Sequence, residues 1–177
     1  DQYKPEHDEK FIELANHPKV VMIGEIGLDY FHKPFDAEYQ KNVLRRHLAI
    51  AREVNLPVSL HCRGEGCYDD LVSVLQEENA EEFGGIAHCF IGEKKHAKAL
   101  MDMGFYLGVG GIATYPKSQD IREILQTVDS SKLLMETDSP FLAPQAKRGK
   151  RNEPSFVKYT AEHLNDIFDP DVQFPFV

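Results

Sequence analysis

Five short apolar runs punctuate the chain: VVMIG (20–24), PVSLH (57–61), GGIAHCF (84–90), FYLGVG (105–110) and KLLME (132–136). Each is continuous and bounded by turn residues, the pattern of a strand buried on both faces. Between them the period changes. In DAEYQKNVLRRHLAIAREV, Tyr39, Val43, Leu44, Leu48 and Ala51 recur at helical spacing behind Asp36, a residue type that caps helix N-termini. YDDLVSVLQEEN, EKKHAKALMDM and SQDIREILQTV follow the same rule, and Gly104 stands where a helix C-terminal glycine belongs. Strand and helix therefore alternate, which predicts βαβ units and an α/β fold with a parallel sheet, open or closed into a barrel. Residues 145–153 form a polar loop in this reading, and the ending FDPDVQFPFV carries no helical pattern and is left unassigned.

Composition narrows the picture without deciding it. A chain of 177 residues with 42% hydrophobic side chains has enough apolar material for one sizeable core and is expected to form a single domain. Twenty lysines and arginines against 29 acidic residues give a formal charge of -9, so contact with a polyanion has to be local. Cys62, Cys67 and Cys89 are odd in number and lack CxxC spacing, which points to free thiols in a reducing compartment. No run reaches the about 18 apolar residues that span a membrane, and the start, DQYKPEHDEKF, lacks the apolar core of a signal peptide.

Four polar residues stand at or just past the ends of four of the apolar runs: Glu25, His61, His88 and Asp138. In parallel α/β proteins the C-terminal strand ends form the ligand-binding face, because strands hold their ends rigidly while the loops there vary. Two imidazoles and two carboxylates on that face make a mixed N/O donor set suited to Zn2+, Mn2+ or Mg2+. Singly, a histidine at a strand end is more often a hydrogen-bonded core residue, Glu25 fits a turn cap, and Asp138 before Ser139-Pro140 fits an Asx turn. Jointly the four make a poor accident, since a buried unpaired carboxylate is costly. The remaining histidines, His7, His17, His32, His47, His96 and His163, are expected at the surface.

The segments GEIGLDYF (24–31), LPVSLHCR (56–63), GGIAHCFIG (84–92), METDSPFLAP (135–144) and RGKRNEP (148–154) resemble, in order, the signature segments of TatD-family deoxyribonucleases of the amidohydrolase superfamily. The likeness runs from about residue 17 to about residue 164, with small departures such as Cys62 in place of serine and Ile91 before Gly92. It implies a TIM-type (β/α)8 barrel, a cytoplasmic enzyme and divalent-metal-dependent hydrolysis of DNA phosphodiester bonds. The activity it implies is 3′ to 5′ exonuclease action on single strands, with two metal ions per site and no obligate protein partner. Carried over by position, Glu25 bridges the two metals, His61 and His88 ligate the second, and Asp138 ligates the first and partners the attacking water. Asp29 is placed behind the ligands, orienting a histidine. Arg63 is a candidate fork onto a phosphate oxygen or a rim salt bridge. Lys147, Arg148, Lys150 and Arg151, four cations in five residues, are candidate contacts to a phosphate backbone. Tyr30 and Phe31 are candidate base-stacking rings.

The family's first strand carries a His-x-His pair that binds the first metal, and that pair is missing from these 177 residues. A barrel of this type runs to about 250 residues, about 73 more than the chain supplies. The five runs are therefore expected to be strands four to eight, with a weakened first-metal site and little activity in the chain alone. Two rival readings stay open. One is another amidohydrolase activity, lactonase- or phosphotriesterase-like, although no lysine occupies the strand position that carbamylation would need. The other is a catalytically silent domain that binds a partner.

Overall fold

The longest helix shows how local chemistry sets the elements. Asp36 has extended backbone and its carboxylate accepts the Tyr39 N–H at 2.9 Å, capping α2 (Ala37–Val54), which ends on the left-handed Asn55. The computed structural model describes residues 3–168, so the C-terminal tail lies outside the described residues. Along the chain run α1 (Asp8–Ala15), β1 (Ile23–Asp29), α2, β2 (Val58–Arg63), α3 (Cys67–Glu77), β3 (Gly85–Ala87), α4 (Lys94–Asp102), β4 (Tyr106–Val109), α5 (Gln119–Leu125), β5 (Leu133–Met135) and α6 (Val157–Asn165). The class is α/β with parallel strands. Packing divides the described residues into two compact units, one of 3–87 with 102–105 and one of 88–101 with 106–168.

In the first unit β1 pairs with β2 and β2 with β3, both parallel. Leu28, Val58 and Leu60 are buried on these strands, and α2 lays Leu44, Leu48 and Ala51 against β1. α3 packs on β2 through the same unit, contributing Leu71, Val74 and Leu75 to the core. In the second unit β4 and β5 pair parallel from Leu107↔Leu133 to Val109↔Met135, with α6 against β5. The core there is built from Leu107, Leu125, Leu133 and Leu164.

Several sequence expectations need correction. The first strand was expected over 20–24 but runs from Ile23 to Asp29, because the ladder to β2 opens only at Ile23↔Val58 and continues through Gly27↔His61 to Asp29↔Arg63. Val21, in the expected strand, is 74% exposed. Glu25 is thus inside β1, at the irregularity between Ile23 and Ile26, and not past its end. Gly27 makes the continuation feasible: at φ +145° a Cβ would stand 1.9 Å from the His61 carbonyl oxygen, so only glycine lets the two backbones approach this closely.

His47 and His96 are buried, not surface residues. His47 has Nδ1 against the Val43 carbonyl at 2.9 Å and is covered by the rings of Tyr3 and Phe11; His96 accepts the Glu93 N–H through Nδ1 at 3.0 Å. Tyr30 does not present a free stacking face. It is buried, stacked on Phe35 with ring centroids 4.8 Å apart, and donates its hydroxyl to Asp70 at 2.8 Å.

Candidate metal centre

In the first unit, β1 and β2 bring Glu25, Asp29 and His61 together. The His61 ring sits between two carboxylates: Nε2 is 3.1 Å from Asp29 Oδ2, and Nδ1 faces Glu25 Oε2 at 3.9 Å. Asp29 closes β1 and works in several directions. Its Oδ1 accepts the N–H groups of Phe31 and His32, both at 2.9 Å, and its Oδ2 also meets His32 Nδ1 at 2.8 Å. Its own N–H donates to Gln40 Oε1, whose amide returns a bond to the Asp29 carbonyl at 2.8 Å, tying the strand end to α2. Burial alone would raise the Asp29 carboxyl; hydrogen bonds from His32, His61 and the Phe31 N–H outweigh it and hold the group at about 2. It is therefore a fixed anion that orients imidazoles. A cleft of about 390 Å3 lined by Glu25, Asp29, Gln40 and His61 opens beside this cluster.

Arg63 ends β2 with its guanidinium 3.9 Å from the Phe31 ring centroid, a cation–π stack that orients both groups, and Phe31 remains 57% exposed. Behind His61, Cys62 is buried and donates its S–H to Cys67 Sγ at 3.0 Å, and Cys67 in turn bonds the Leu28 carbonyl at 3.1 Å. Burial pushes the Cys62 thiol up, and none of the three cysteines is in a disulfide.

In the second unit His88 follows β3 directly and Asp138 lies three residues beyond β5. The His88 ring repeats the arrangement around His61: Nδ1 is 2.8 Å from Glu136 Oε2, and Nε2 faces Asp138 Oδ1 at 3.3 Å. Asp138 adopts left-handed backbone at φ +56° in a turn closed by Phe141 N–H to the Asp138 carbonyl at 2.8 Å. The buried Asn152 holds that turn, donating its side-chain amide to the Thr137 and Phe141 carbonyls, both at 2.6 Å. The loop read as merely polar is thus pinned by a buried residue. Its cations are partly packed: Arg148 lies 4.0 Å over the Tyr115 ring and Lys147 lies 4.5 Å over Tyr159, while Lys150 and Arg151 are exposed.

Both units therefore present an imidazole with one nitrogen tied to a carboxylate and the other facing a second carboxylate. In the neutral tautomer that donates Nδ1–H to Glu136, His88 Nε2 and Asp138 Oδ1 would face each other as two acceptors at 3.3 Å, an arrangement that a cation between them would relieve. The donor set fits a borderline or hard divalent ion. Among the described residues no group of three or more His, Cys, Asp and Glu side chains is gathered around a single point for a metal. Sequence reasoning missed Glu136 and His32; the signal for Glu136 was an acidic residue closing an otherwise apolar strand run.

A family model described as TatD-related DNase matches residues 1–173. The chain belongs to the TatD family. YabD of Bacillus subtilis (strain 168), an uncharacterized metal-dependent hydrolase, is 46% identical over 155 residues, covering 88% of this chain and 60% of YabD. TatD of Salmonella typhimurium, named a 3′-5′ ssDNA/RNA exonuclease, is 32% identical over 168 residues, covering 92% of this chain and 64% of that protein. Among solved structures, the TatD homolog YjjV of Escherichia coli K12 superposes with a TM-score of 0.86 at 28% identity, over 94% of this chain and 64% of YjjV. The chain thus spans about three fifths of the length of the curated TatD-family relatives it matches. Among the described residues no helix is long and apolar enough to cross a membrane.

Proposed function

We propose that this chain carries metal-ligand and phosphate-binding residues of a divalent-metal-dependent phosphodiesterase that removes nucleotides from single-stranded DNA in the 3′ to 5′ direction. The observation that carries the reading is the repeated imidazole between two carboxylates, His61 with Asp29 and Glu25, His88 with Glu136 and Asp138. Glu25, His61, His88 and Asp138 are the protein ligands, and Mg2+, Mn2+ or Zn2+ are the ions their chemistry suits. A divalent ion there supplies positive charge for the phosphoryl oxygens and acidifies water at neutral pH. The chain's own residues do the rest. Asp138 accepts the proton of the attacking water, Asp29 and Glu136 hold the two imidazoles in register, and exposed Lys150 and Arg151 bind phosphates without reading sequence. The Arg63 guanidinium, held flat by Phe31, forks onto a phosphate oxygen.

The test uses the protein that contains this chain, a 3′-labelled single-stranded oligonucleotide and added Mg2+ or Mn2+. Metal-stimulated nucleotide release, abolished in Glu25→Gln and Asp138→Asn, supports the reading. Unchanged release in both variants, or inert DNA alongside turnover of a lactone or organophosphate, overturns it.

A further inference from the structure

We propose that Glu136 is a positioning residue for metal binding: from the end of β5 it fixes the His88 ring as the tautomer whose Nε2 lone pair is directed to the ion. This deepens the function proposed above and rests on it. Glu136 Oε2 stands 2.8 Å from His88 Nδ1, and Glu136 Oε1 accepts the N–H of Cys89, so both oxygens are engaged by consecutive residues. The two side chains are 18% and 16% exposed, which limits the competition from water. Both ring nitrogens face a carboxylate oxygen, but the Glu136 contact to Nδ1 at 2.8 Å is the shorter and the Asp138 contact to Nε2 at 3.3 Å the longer, so in the neutral ring the hydrogen belongs on Nδ1. That leaves Nε2, on the Asp138 side, as the donor atom for a metal. Because both Glu136 oxygens are used on His88 and Cys89, the residue acts through His88 and is not itself a ligand.

The backbone is built around this carboxylate. A Cβ on Gly108 would stand 2.6 to 2.7 Å from all three atoms of the Glu136 carboxyl group. Gly108 pairs with Leu134 in the β4–β5 ladder and accepts the Phe90 N–H at 2.9 Å, so neither strand yields easily. The slot that receives Glu136 is the space of a missing side chain. A residue retained only to tie the turn after β3 needs the Cys89 contact alone; the short contact to Nδ1 and the slot behind it belong to the ring.

Two readouts test this without relying on turnover. The first is 15N–1H correlation of the His88 ring in the metal-free wild-type protein, at a pH where the ring is neutral: Nδ1–H is expected, and a predominant Nε2–H tautomer overturns the proposal. The second is calorimetric titration with Mn2+ of wild type, Glu136→Gln and Gly108→Ala. Glutamine keeps the shape but cannot accept both bonds, and alanine keeps the carboxylate but displaces it. Both variants are expected to lose about 10- to 100-fold in Mn2+ affinity, the effect typical of removing an outer partner of a ligating histidine. They are also expected to show mixed His88 tautomers, while the thermal midpoint of Glu136→Gln stays near wild type. Wild-type affinity with an unchanged tautomer in Glu136→Gln overturns the inference. Absence of Mn2+ binding in wild type with the Nδ1–H tautomer present would instead remove the proposed function and leave the orienting contact standing.

Discussion

Each unit holds one histidine between two carboxylates, by the same device at different strengths. His61 lies inside the β2 ladder and leans on Asp29, an anion shared with His32 and two backbone N–H groups, while Glu25 stays half exposed. His88 lies just past the end of β3 and meets Glu136, a carboxylate 16% exposed that also accepts the Cys89 N–H. The ring inside the β2 ladder is oriented by the more open anion, Asp29 at 25% exposure, and the ring past the end of β3 by the more enclosed one, Glu136 at 16%. Each unit also needs a glycine to make its device fit, Gly27 for the approach of β1 to His61 and Gly108 for the Glu136 carboxylate.

The strongest way to break the comparison is at Asp138. Asp138→Asn is expected to lower nucleotide release by about 10²- to 10⁴-fold, the usual contribution of a positioned proton acceptor. A loss below tenfold would leave the second unit without its assigned role. Next is the sheet device of the first unit. Gly27→Ala places a Cβ 1.9 Å from the His61 carbonyl at a φ unfavourable to alanine, and is expected to destabilise by about 3 kcal/mol in urea unfolding. Gly104→Ala is the reference for backbone strain alone, since a Cβ there meets nothing within 4 Å.

A smaller effect is expected at Asp29. Asp29→Asn should weaken Mn2+ binding by about tenfold, the lower end of the range for such partners, because the β2 ladder still holds His61. If the loss exceeds that in Glu136→Gln, the contrast between the more open and the more enclosed anion is reversed. The smallest effect is one of pH at the edge of the first unit. Burial works to raise the Asp8 carboxyl, but hydrogen bonds from Tyr3 and Arg46 prevail and lower it. A carboxyl lowered in the folded state stabilises above its unfolded value and loses that contribution as pH falls through the folded value. The protection factors of the α1 amides, exchange corrected for its intrinsic pH dependence, are therefore expected to fall below about pH 4, with Asp8→Asn removing that fall, while β2 amides remain protected.

Much of this arrangement was legible in the chain. α2 carried both its apolar period and its cap in contiguous residues, and His61, His88 and Asp138 stood out as polar residues closing apolar runs. What escaped notice depends on residues far apart in sequence. Glu136 looked like the last position of a strand, and its role becomes visible only when His88 and Gly108 are placed around it. His47 was assigned to the surface because its cover comes from Tyr3 and Phe11, in a segment without a readable period. The first strand was misplaced because hydrophobicity favoured Val20 to Met22, whereas the pairing partner and Gly27 favoured the more polar GLD that follows.

Asn152 acts as a rivet. Its one buried amide joins Thr137 to a position 15 residues later, closing the intervening chain into a ring that carries Asp138 on one side and the four cations on the other. Loosening that single amide would free the turn that carries Asp138 from the loop that carries the cations.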